Sequence, residues 1–124
     1  MKRSPIAFVI KEQVVRGITG PTVVDYSPAL EFGDLEFITR HDLPNYPNSS
    51  VQEVWDADVA SFVDRYDETL DYIIPTGQPM AILAVGWAMG RAGKIPRFLS
   101  WKAQEGKYRV MNFYANKIHG GSIV

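Results

Sequence analysis

Asp71–Gly93, DYIIPTGQPMAILAVGWAMGRAG, decides the fold. Asp71 to Pro75 is a short apolar run, broken by Pro75-Thr76-Gly77-Gln78-Pro79 and followed from Met80 to Ala92 by good helix formers and small residues. The stretch therefore predicts a buried strand, a tight turn and a buried helix. Pro79 suits a first helical turn, where its missing N–H costs nothing, and Gly93 suits the position just past the end. The uncharged run from Tyr72 to Gly90 is 19 residues long. Two prolines and a glycine interrupt its first third, leaving a helix of about 12 residues and ~18 Å, short of a ~30 Å hydrocarbon core. The reading is a core helix and not a membrane span.

Ala81, Ala84, Ala88 and Ala92 form one small-residue ridge on that helix, and Gly86 and Gly90 a second track. A helical glycine costs about 1 kcal/mol against alanine, so two of them predict close packing against a neighbour, either the sheet or a second subunit.

Upstream, Pro5 to Val15 and Thr22 to Tyr26 are rich in β-branched residues and read as two strands of an antiparallel hairpin about the turn Gly17–Pro21. Ser27-Pro28 ends it, Ala29 to Gly33 reads as a compact turn or a single helical turn, and Leu35 to Thr39 alternates as a third strand. Arg40 to Ser49 is a loop. Ser50 and Glu53 have the spacing of a capping box, and Val51, Trp55, Val59, Phe62 and Tyr66 then recur at helical spacing with acids off the stripe. Downstream, Lys94 to Trp101 and Tyr108 to Tyr114 are strands joined by the turn Ala103 to Lys107. One domain over residues 1–124 is expected, with a flexible tail from about 115 to 124.

The predicted fold is α/β: a small mixed sheet of about 5–6 strands with a central βαβαβ, Rossmann-like unit, an N-terminal hairpin and a C-terminal hairpin. Such units give parallel strands with right-handed crossovers, and a fully buried strand such as Tyr72–Ile74 belongs in the middle. Open α/β sheets bind ligands beyond the carboxyl ends of their strands. That rule gathers Arg40 and His41, the turn Pro75–Gln78, and Trp101 with Lys102.

Composition is that of an ordinary globular chain: 46% hydrophobic, 22% charged and no cysteine. Disulfides, thiolate metal sites and cysteine nucleophiles are excluded. Residues 1–90 carry 6 Lys/Arg against 13 Asp/Glu, net −7, and residues 91–124 carry 7 against 1, net +6. The two portions complement one another, within one molecule or across an oligomer, or else form a basic face for phosphate or nucleic acid. Arg97, Trp101, Lys102, Tyr108 and Arg109 interleave cations and rings as single-strand binders do.

The turn Thr76-Gly77-Gln78 is the one element with a claim on chemistry. A helix N-terminus offers N–H groups and partial positive charge to an anion, Gly77 lets backbone approach a ligand, and Thr76 and Gln78 supply a hydroxyl and an amide. One glycine makes neither a dinucleotide fingerprint nor a P-loop. Arg40, Lys102, Asp25 and Ser27 complete the candidate binding residues. No catalytic set emerges: His41 and His119 are isolated, Asp56 and Asp58 face apart, and no metal-ligand spacing or cofactor motif is present.

Three pieces, Val24–Gly33, Tyr72–Pro79 and Phe98–Trp101 ahead of Tyr108, together resemble small proteins of tailed phages and prophages across about residues 6–114. The resemblance implies a phage origin and the host-cell cytoplasm, without an activity. The expected function is non-catalytic binding of a nucleotide-like or phosphate-bearing small ligand at the strand-to-helix turn. One alternative is a structural or interaction protein acting through homo-oligomerisation. A second is a single-stranded nucleic-acid accessory protein.

Overall fold

The computed structural model describes residues 3–44 and 49–112. In chain order its elements are β1 (Ile6–Val9), β2 (Val14–Gly17), β3 (Gly20–Val23), a 3-10 turn (Ser27–Glu31), β4 (Asp34–Phe37), α1 (Ser49–Arg65), β5 (Tyr72–Ile74), α2 (Pro79–Arg91), β6 (Arg97–Lys102) and β7 (Lys107–Asn112). Five strands form one sheet in the order β4-β1-β5-β6-β7, parallel except for the antiparallel β6–β7 hairpin. Tyr72–Ile74 occupies the middle, as its lack of any polar face requires.

The N-terminal segment departs from the expectation of one strand over Pro5 to Val15. β1 stops at Val9, just before the polar step Lys11-Glu12, and joins the main sheet between β4 and β5. The antiparallel hairpin is β2–β3, a separate two-stranded sheet closed at Gly17–Gly20, where Gly20 adopts φ +117°. Apolarity marked both strands but not the break between them.

The order of connections explains the layers. β4→α1→β5 and β5→α2→β6 step in one direction along the sheet, so right-handed crossovers put both helices on one face. There Phe8, Ile38, Ile73 and Phe98 pack against Trp55, Val59, Phe62, Tyr66, Val85 and Met89. Phe8 meets Phe62 edge to face at 4.8 Å. The step from β1 to β4 runs the other way, and the 3-10 turn covers the opposite face, where Ala29 and Tyr26 bury Ala7, Val9, Ile74 and Leu99. Gly33 allows the chain back into the sheet: a Cβ there would lie 2.5 Å from the Pro5 carbonyl oxygen.

Asp71, fully buried, ties the base of the sheet. Its carboxylate accepts a bidentate pair from Arg3 and hydrogen bonds from the N–H of Ile6 (3.0 Å) and Asp67 (2.8 Å). Lys94 donates to the Val63 and Tyr66 carbonyls at the end of α1. Tyr66 accepts from the Arg97 N–H at 2.9 Å, and burial pushes its phenol up to about 12. The expected tail from 115 to 124 and the last two residues of the expected strand Tyr108–Tyr114 lie outside the described residues.

Candidate functional site

Because the chain leaves β1 toward one face and β5 toward the other, their carboxyl ends diverge, which is where an open α/β sheet offers a crevice. Gln13 occupies it. Its Nε2 donates to the Lys11 carbonyl at 3.0 Å and would lie 3.1 Å from a Cβ added at Gly77. Gly77 itself sits at φ +122°, a conformation that L side chains rarely adopt. Glycine is thus required here by the backbone turn, and a Cβ would in addition press on the end of the Gln13 side chain.

The opening lies one strand further along, on the face of the 3-10 turn. A cleft of about 510 Å³ is walled by Ile74-Pro75-Thr76 from the end of β5 and Leu99-Ser100-Trp101 from β6, with Tyr108 from β7 and Val24-Asp25-Tyr26 from the loop after β3. Its character is apolar and aromatic with a few polar groups, the usual make-up of a small-molecule pocket. Trp101 remains 48% exposed while packing edge to face on Tyr108 at 5.0 Å, so its indole offers a ring surface to an incoming ligand. Tyr26 and Tyr108 are both buried, and burial pushes both phenols up. Among the described residues the Tyr26 hydroxyl completes no hydrogen bond. Thr76 and the Gln13 backbone lie near enough to favour its ionised form, yet neither meets it with good geometry. Asp25 closes an Asx turn by accepting from the Ser27 N–H at 2.9 Å. That bond, reinforced by the Ser27 hydroxyl, holds its carboxyl below the usual range.

Of the residues predicted from sequence, Thr76 and Asp25 meet in this cleft, Gly77 sits behind its rim and Ser27 orients Asp25. Gln78 is committed elsewhere. Its amide accepts from the Leu43 N–H (2.8 Å) and donates to the Leu43 carbonyl (3.3 Å), pinning the loop before α1. Arg40 and His41 border a second, wider cleft of about 810 Å³ at the ends of β1 and β4. Within it Thr39 donates to Asp58 at 2.9 Å, and Lys11 pairs with Asp42 at 3.3 Å. Lys102 follows Trp101 on β6, so strand alternation turns it to the helix face, away from the aromatic cleft.

The same alternation separates the rings from the cations of the last hairpin. Trp101 and Tyr108 are cross-strand partners on one face, while Lys102, Lys107 and Arg109 share the other. Arg109 is held bidentately by Glu105, and Arg97 donates to the Asp71 carbonyl while stacking over Tyr72. On α2, Ala81, Val85 and Met89 are buried, but Gly86 and Gly90 are exposed and a Cβ at either meets none of the described residues within 4 Å. The expectation that these glycines pack against the sheet is therefore corrected: they lie on the outer side of the helix.

Sequence reasoning missed Tyr26 and Gln13, and took Tyr108 only as one of the rings of the C-terminal hairpin. Trp101 and Tyr108 bracket a short hairpin turn, and that spacing makes them cross-strand neighbours. Nothing in the sequence pointed to Gln13.

Fold and cleft together define a small α/β protein with a mostly parallel five-stranded sheet and an aromatic pocket at the ends of β5 and β6. Among the described residues no helix is long and apolar enough to cross a membrane. The chain belongs to the phage Pam3 gp32-like protein family, whose model matches residues 5–115. No curated protein and no solved structure matches it.

Proposed function

We propose that this phage protein binds a nucleotide-like small ligand in the host cytoplasm without turning it over, with the ligand's planar ring in the cleft against Trp101. The observation that carries the reading is the convergence of Trp101, Tyr108, Thr76 and Asp25 on one cleft of about 510 Å³ at the strand carboxyl ends. Ring stacking on indole is tolerant of the base, while the Thr76 hydroxyl and the Asp25 carboxylate accept from a ligand's N–H groups. Among the described residues the lining contains no Lys or Arg, which favours recognition of the ring over recognition of phosphate. A thermal-shift screen against nucleobases, nucleosides and nucleotides tests this, because a ligand that binds only the folded chain raises its melting temperature. At least one base-bearing compound should raise Tm, and Trp101→Ala should abolish the shift. A panel with no effect on the wild-type chain refutes the reading.

A further inference from the structure

Three large, exposed apolar side chains stand away from the cleft. They stand on α2, across the sheet. Met80, Leu83 and Trp87 are 66%, 74% and 64% exposed and follow one another at helical spacing along one stripe. Beside them Gly86 and Gly90 leave the helix backbone bare, and the stripe carries no charge until Arg91. The three side chains expose on the order of 400 Å², the size of the largest apolar patch a monomer leaves in water, which is often a functional surface. We propose that this face is where two copies of the chain pair about a two-fold axis, with the two α2 helices antiparallel.

The occupant follows from the pattern of large and small residues. A two-fold contact must be self-complementary: whatever one copy presents at position i, it must accept at position j. With the axis crossing α2 near Val85, positions 80 and 90 face each other, as do 83 and 87. Met80 then enters the space above the partner's Gly90, and Leu83 stacks on the partner's Trp87. The bare glycines let the two backbones approach, and each copy supplies both the projections and the gaps. The area agrees. About 400 Å² of apolar centre is half of the roughly 800 Å² that one partner contributes to a standard interface. Asp64 and Arg91, which border the shallow groove beside Trp87, supply a charged rim. The contact lies on the helix face and leaves the aromatic cleft open, so pairing and ligand binding are independent.

Analytical ultracentrifugation over a dilution series tests the pairing. The wild-type chain should show a reversible monomer–dimer equilibrium. Gly90→Leu should weaken the dimer at least ~10-fold by filling the space for Met80, and Leu83→Glu should do the same by burying a charge. Gly90→Leu has room in the single chain, since nothing lies within 4 Å of a Cβ there, so its circular dichroism should be that of the wild type. Val110→Glu, at a partly exposed position of β7 on the sheet face opposite α2, should leave the equilibrium unchanged. A wild-type chain that stays monomeric throughout overturns the proposal. So does a dimer that both α2 variants leave intact, or one that only Val110→Glu dissolves.

Discussion

Removing the Asp71 carboxylate should be among the costliest single changes in the chain. The group is completely buried and accepts four hydrogen bonds, two from Arg3 and one each from the N–H of Ile6 and Asp67. Asp71→Ala strands the two backbone donors at about 1–3 kcal/mol each. Arg3 loses its partner more cheaply, because its side chain is 38% exposed and can turn to water. Together the loss is about 3–5 kcal/mol, against a total of about 5–15 kcal/mol for a domain of this kind. Arg3→Ala leaves the carboxylate buried with its two backbone donors and should cost less, about 2 kcal/mol. The double variant should cost clearly less than the two single costs added, since the Arg3–Asp71 pair is already gone in Asp71→Ala and only the Arg3 bond to the Arg65 carbonyl (2.9 Å) is left to lose. Urea denaturation followed by tryptophan fluorescence measures all three. An Asp71→Ala cost under about 1 kcal/mol, or strictly additive costs, would refute the account of how β5 is anchored.

Three further outcomes follow from the site. Gly77→Ala should destabilise by about 1–3 kcal/mol in urea, and Gln13→Ala should not rescue it, because the φ of +122° and not the neighbour sets most of the cost. Tyr26→Phe should leave thermal stability unchanged or raise it by up to ~1 kcal/mol, since the hydroxyl it removes is buried without a partner. Ser27→Ala should raise the Asp25 pKa in an NMR titration yet leave it below the usual carboxylate value, because the backbone N–H, the larger cause, remains. The sign for stability follows: a carboxyl depressed in the folded state stabilises above its unfolded pKa, and that contribution fades as pH falls through the folded value.

Periodicity and punctuation made much of this fold legible. The apolar run Tyr72–Ile74 placed β5 at the centre, and the stripe Trp55, Val59, Phe62 and Tyr66 identified the buried side of α1. What escaped was long-range. β1 and β2 read as one strand because both are β-branched, and only the insertion of β1 between β4 and β5 separates them. Gly86 and Gly90 looked like packing glycines because small residues signal close approach without saying from which side. The anchoring role of Asp71 did not show, since its donors Arg3 and Ile6 lie more than sixty residues away. The cleft depended on which way β6 side chains alternate. That placed Trp101 in it and turned Lys102 out, a distinction that one register fixes and composition cannot.

The ligand claim is tested most directly by the three indole N–H signals of Trp55, Trp87 and Trp101 in a ¹H–¹⁵N spectrum, recorded as a base-bearing compound that raises Tm is added. Trp55 is buried under the sheet, Trp87 stands on α2 and Trp101 borders the cleft, so the three report on separate parts of the molecule. The Trp101 signal should move and saturate while Trp55 and Trp87 hold still. A titration in which Trp101 stays fixed, or in which Trp87 alone responds, would contradict the ligand claim.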